Sequence, residues 1–172
     1  MQTFDAIMNR KGVRSFTSQQ ISSEQLRKLI HAANAAPISG GGFTDSARHL
    51  TIIQNEDMLS RISKAASEKR GGSDPLYGAK TLIVISAPEN AYHVEQLDVG
   101  IMAQTILLMA TDLGLNSIVM TSFTQAFMED TELLPALCLP DRYTPYIGVV
   151  VGYTDDKTVK TREYRDNNVN YI

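Results

Sequence analysis

The stretch Asp98–Leu113, DVGIMAQTILLMATDL, constrains this chain more than any other. Its apolar residues run around most of a helical circumference instead of forming one stripe. Such a helix has to be covered on several sides, so it predicts a central, buried helix. Gly114 supplies the stop at its C-terminal end. Two other segments predict the sheet that this helix packs against. Thr81–Ala87 (TLIVISA) is nearly continuous in apolar residues and reads as a buried strand. Tyr146–Tyr153 (YIGVVVGY) reads as the last strong strand. Leu50–Gln54 and Leu115–Ser122 are shorter strand candidates.

The remaining helices are read from caps and spacing. Ser22 with Gln25 three residues later is a capping-box pattern. It precedes an apolar stripe at Leu26, Leu29, Ile30 and Ala33, and Pro37 ends the helix. Met1–Arg10 is a short helix with Phe4, Ile7 and Met8 on one face. Met58–Lys69 and Phe127–Leu137 have helical spacing. Val13–Phe16 looks extended, and Ile38–Arg48, with Gly40, Gly41 and Gly42, is a loop. Helices and strands interleave without a clean βα alternation, and two helices precede any good strand. The expectation is α+β: one domain over residues 1–172, with a central mixed or antiparallel sheet flanked by helices. Asp155–Ile172 is polar and poor in core candidates. It predicts an extended arm, from about residue 155 to 172, lying on a partner subunit.

Composition and motifs exclude several chemistries. Lys and Arg number 16 against 19 Asp and Glu, so the balance gives no case for nucleic-acid binding. The apolar runs fall short of the roughly 18 residues of a membrane span. Residues 1–15 hold no apolar secretory stretch, so the expectation is a reduced, cytoplasmic protein. The chain has one cysteine, Cys138, flanked by Leu137 and Leu139, which predicts a buried, inert thiol. His31, His49 and His93 have no metal-ligand spacing. No GxSxG, HExxH, CxxC or GxxxxGK[ST] motif is present. Side chains alone offer no nucleophile or acid–base pair, so in an enzyme of this sequence a cofactor carries the hard step.

Arg10, Lys11 and Arg14 lie within five residues around Gly12. Two guanidiniums at a bend can converge on one dianion, each with a planar fork matched to phosphate. A short basic run of this kind also occurs as a solvated surface.

At this point the chain resembles the nitroreductase family of FMN-dependent flavoproteins. Arg10-Lys11-Gly12-Val13-Arg14-Ser15-Phe16 is similar to the family's Arg-x-Ser-x-Arg-x-Phe opening. Ala35-Ala36-Pro37-Ile38-Ser39 is similar to its Ala-Pro-Ser segment, and Tyr77-Gly78-Ala79 to its Gly-Ala-Pro strand entry. Asp98 through Gly114-Leu115-Asn116-Ser117 resembles the family's central helix and its Gly-Leu-x-Ser exit. Pro140–Tyr143 resembles the Pro-x-x-Tyr entry to the last core strand, and Lys160-Thr161-Arg162 the C-terminal Lys-x-Arg pair. These pieces occur in the family's order along most of the chain.

The resemblance implies a homodimer with exchanged tails and FMN at the subunit interface. It implies that Arg10, Lys11, Gly12 and Arg14 serve the phosphate, ribityl chain and pyrimidine edge. It assigns Lys160 and Arg162 to the phosphate, and Met120, Thr121 and Ser122 to the backbone beside the ring. Pro37, Ile38 and Ser39 would reach the flavin from the partner. The implied activity is NADH- or NADPH-driven ping-pong reduction of a small-molecule acceptor, a nitroaromatic, quinone or similar conjugated compound. A non-catalytic flavin-binding or scaffold protein of the same fold is the alternative. The sequence departs from the family in four places. Gly12 stands where the motif has Ser, Ile38 displaces Ser39, Lys80 replaces the Pro of Gly-Ala-Pro, and a glycine run from Gly40 replaces the Gln-Pro-Trp-like run.

Overall fold

The computed structural model describes residues 1–39, 48–68, 71–88, 94–158, 162 and 167–172. In chain order the elements begin with helices α1 (Thr3–Asn9) and α2 (Ser23–Asn34), strand β1 (His49–Ile53), helix α3 (Glu56–Glu68) and strand β2 (Thr81–Pro88). Helix α4 (Glu95–Asp112), strand β3 (Asn116–Met120), a 3₁₀ turn (Ser122–Gln125), helices α5 (Ala126–Glu129) and α6 (Leu133–Ala136), and strand β4 (Tyr143–Gly152) follow. The strands form one sheet in the order β1-β2-β4-β3. Every pairing between them is antiparallel. A single parallel bridge, Gly12 to Ser117, ties the N-terminal segment to β3. The α+β architecture expected from the sequence is the one observed.

Alternation along the two central strands sorts their side chains into two cores. Ile83, Ile85, Ala87, Val149 and Val151 face α2 and α4, where they pack with Leu29, Val99, Met102 and Ile106. Leu82, Val84 and Val150 face the other way, onto Leu59, Ile62, Phe123, Phe127 and Leu133. Both faces are thus covered, which explains why β2 reads as an unbroken apolar run. The two phenylalanines of the second core meet edge to face at 5.5 Å. The chain narrows to glycine where it crosses them. A Cβ on Gly148 would sit 2.8 Å from Phe123 Cε1 and 3.0 Å from Leu82 Cδ1.

The capping box at α2 forms as the sequence predicts: Gln25 N–H donates to Ser22 Oγ at 3.1 Å, and Ser22 N–H donates to Gln25 Oε1 at 2.8 Å. Other expectations are corrected. The single helix over Phe127–Leu137 is broken into α5 and α6. A proline inside a helix loses its hydrogen bond and clashes one turn back. Pro135 is therefore accommodated only in the first turn of a new helix, α6. The turn between them is held by Asp130, whose Oδ1 accepts from Glu132 N–H at 3.1 Å. Arg61 donates to both oxygens of Asp130, at 3.0 and 2.9 Å. Cys138 is exposed, not buried: it follows α6 in a left-handed turn (φ 50°) that sends its side chain outward while Leu137 goes inward. On α1 only Ala6 is buried, and Phe4 and Ile7 remain 54% and 40% exposed.

Replacing Gly148 by alanine forces a methyl group into Phe123. The expected loss is about 1–3 kcal/mol of stability, measured by urea unfolding. An unchanged midpoint would show that the Phe123 ring yields freely.

Candidate functional site

The N-terminal segment leaves α1 and runs along the outer edge of β3. Gly12 bridges Ser117, and Val13 N–H donates to the Ser117 carbonyl at 3.4 Å. Val13 is 1% exposed and anchors the segment, while Arg14 is exposed. Among the described residues, this bridge is the only backbone pairing on that edge. Beyond it, β3 continues to Met120, which is buried, and the chain turns at Thr121 and Ser122. Four strand residues carry the backbone roughly 13 Å from Ser117 to Thr121. The Thr121 carbonyl is engaged by Thr124, through its N–H at 3.0 Å and its hydroxyl at 2.8 Å.

The chain after β4 returns along the same segment. Thr17 N–H donates to the Tyr153 carbonyl at 2.8 Å, and the Thr154 hydroxyl donates to the Ser15 carbonyl at 2.7 Å. Lys11 Nζ donates to the carbonyls of Asp156 and Thr158 at 2.8 and 2.7 Å. Arg162 Nη2 then donates to the Arg10 carbonyl at 2.8 Å. Residues 155–158, the start of the expected arm, thus hold polar contacts to Lys11 of their own chain.

Arg10 and Arg162 form the unbalanced part of this arrangement. Partial burial, and then the nearby charge of Arg162, hold the Arg10 guanidinium below its ordinary value. Among the described residues, no carboxylate forms an ion pair with Arg10, Arg14 or Arg162. Two like charges held together without a counter-charge fit an anion. Lys160 lies outside the described residues, as do His93 and the Gly40–Gly42 run.

Pro37, Ile38 and Ser39 are elsewhere. Ser39 donates twice to Asp98 Oδ1, from its N–H at 3.0 Å and its hydroxyl at 2.9 Å. Asp98 is 1% exposed in the first turn of α4, and its other oxygen is paired with Arg48. Glu95, one turn earlier, is also buried and favours the Arg48 charge, whereas burial itself lowers the pKa of Arg48. Ser39 is thus anchored at one end of α4, a helix about 27 Å long. Gly12 bridges Ser117, just past the other end. One chain brings Arg10, Gly12, Arg14, Arg162 and β3 together but leaves Pro37–Ser39 apart. The Ser39–Asp98–Arg48 link was missed in the sequence. Its one signal was an aspartate on an otherwise apolar helix.

Removing Asp98 takes away the carboxylate paired with a buried guanidinium. Asp98→Leu is expected to cost roughly 3–5 kcal/mol, and Asp98→Leu combined with Arg48→Met less than the single change. Urea unfolding of both variants reads this, and equal losses would mean that the pair is not coupled.

The profile of the nitroreductase family matches residues 43–153. A nitroreductase from Desulfitobacterium hafniense, solved with bound FMN, superposes with a TM-score of 0.85 at 25% identity, over 99% of this chain and 97% of that one. An FMN-dependent nitroreductase from Clostridium difficile gives 0.83 at 26% identity, covering 99% of both chains. An FMN reductase [NAD(P)H] from Bacillus subtilis is 23% identical over 99% of this chain and 73% of its own length. With a family profile spanning most of its length and the fold reproduced across the whole chain, this protein belongs to the nitroreductase family.

Proposed function

We propose that this protein is an FMN-dependent oxidoreductase that works as a homodimer. NADH or NADPH would be the reductant, and a nitroaromatic, quinone or similar conjugated compound the acceptor. The observation that carries this reading is the Arg10–Arg162 pair, which among the described residues has no carboxylate partner, at one end of the edge strand β3. When bound, FMN supplies the hydride-accepting and electron-donating centre for two half-reactions in one pocket.

The chain's own residues bind and orient. Arg10 and Arg162, with Lys160 two positions before it, balance a phosphate dianion. Gly12 offers backbone where a serine would add a hydroxyl, and leaves room for close approach. Arg14, exposed on the same segment, presents a cation to the pyrimidine edge. Met120, Thr121 and Ser122 end the edge strand and line the ring with backbone. Lys11 is directed at the arm.

The second subunit supplies what one chain leaves apart. Met1, with Phe4 and Ile7 on α1 and Leu97 and Ile101 on α4, exposes an apolar side chain, and α1 packs on α4. A two-fold contact across antiparallel α4 helices sets the first turn of one against the last turn of the other. That brings Pro37, Ile38 and Ser39 of one protomer to the arginine segment of its partner. Among the described residues no helix is long and apolar enough to cross a membrane. A reducing, cytoplasmic setting completes the proposal.

The visible spectrum of the purified protein tests this directly. It should be yellow and should bleach with NADH or NADPH under anaerobic conditions. A yellow protein that neither nucleotide bleaches would point instead to a non-catalytic flavin carrier. Arg10→Ala should weaken FMN binding by about 1.5–3 kcal/mol in a fluorescence titration. Ile101→Glu should yield monomers in sedimentation and lower the flavin content. A dimer that stays intact and yellow would place the interface elsewhere.

A further inference from the structure

We propose that Lys11 is a positioning residue. It latches the C-terminal arm over the arginine segment so that Arg162 joins Arg10 in one anion site, which selects a phosphorylated flavin over riboflavin. This rests on the flavin reading above. An ammonium group has three N–H donors. In Lys11 two of them bond to the Asp156 and Thr158 carbonyls, and the charge also faces the Asp156 carboxylate at 3.6 Å. The side chain is only 18% exposed. Lys11 is therefore committed to the arm, although it stands between two residues that face the ligand edge.

The arm has little else to hold it. Past Gly152 it has no sheet ladder among the described residues, and residues 155–158 are exposed. Its order comes from polar contacts: Asp156 N–H donates to Thr154 Oγ1 at 3.1 Å, and Thr158 N–H to Asp156 Oδ1 at 2.9 Å. The Thr158 bonds, with a smaller contribution from Lys11, hold the Asp156 carboxyl below its ordinary value. Without the latch the last hold before Arg162 is the Thr154 hydroxyl on Ser15, eight residues away, whereas Thr158 is four residues away. Effective concentration falls with about the −3/2 power of tether length, so the latch is worth about threefold in the local concentration of Arg162 at Arg10.

The test uses the full-length apoprotein and flavin fluorescence, with FMN and riboflavin titrated separately. Lys11→Met should raise the Kd for FMN about threefold or more and leave the Kd for riboflavin unchanged. A collapse of the segment would weaken both. Arg162→Ala should weaken FMN alone, and adding Lys11→Met to it should change nothing further, because the latch acts through Arg162. Asp156→Ala, which keeps Lys11 but removes the carboxylate and the Thr158 turn, should shift the ratio in the same direction. It serves as the readout should Lys11→Met fail to fold. The proposal is overturned if Lys11→Met keeps the wild-type ratio. It is also overturned if the Lys11 and Arg162 effects add in full, since Lys11 would then touch the phosphate itself. A wild-type protein with no preference for FMN over riboflavin would instead overturn the flavin reading, and the latch with it.

Discussion

An antiparallel sheet commonly leaves one face to water; here strands β2 and β4 are buried on both. Everything else in the molecule is placed by that double burial. Because Leu82, Val84 and Val150 point one way and Ile83, Ile85, Val149 and Val151 the other, helices are required on each side. Helix α4 fills the larger share of one side. The order β1-β2-β4-β3 then leaves β3 at an edge, next to the only strand that continues into the C-terminal arm. The edge, the arm and the N-terminal segment meet for this topological reason. Few of their side chains attract one another.

What converges there is mostly positive. A fold stabilised by its core can tolerate an Arg10–Arg162 juxtaposition that contributes nothing to stability, and such a juxtaposition is informative for that reason. The basic groups also differ in how they are used. Lys11 faces Asp156 and binds the arm's carbonyls, whereas among the described residues Arg10 and Arg162 share a backbone bond and no carboxylate. The first set holds the structure, and the second is the one proposed to meet a ligand.

Much of this was legible in the sequence. The all-round apolar character of Asp98–Leu113 and the unbroken run at Thr81–Ala87 marked the centre correctly, because burial on several sides removes polar residues. The Ser22 and Gln25 pattern located its helix because capping is local chemistry. The failures also have physical causes. Phe127–Leu137 kept helical spacing through a break that Pro135 requires. Cys138 sits between two leucines, yet a left-handed turn reverses which neighbour faces inward. Phe4 and Ile7 formed the expected stripe, but it stays exposed, with only Ala6 of α1 buried. The Asp98–Arg48 pair joins residues 50 positions apart, and nothing local announces it.

Helix α4 also limits what one chain can bring together. Ser39 is held by Asp98 at the start of α4, and the arginine segment is held by β3 past its end, so one rigid helix keeps the two apart. No rearrangement of loops closes that gap without unfolding the helix that organises the core. In the proposed dimer a second copy packed on α4 would close it by symmetry, and the apolar residues that α1 and α4 leave uncovered are where that copy would gain its binding energy. On that proposal each completed site would draw on both chains, so cofactor would stabilise the dimer by mass action and dilution of the dimer would release cofactor.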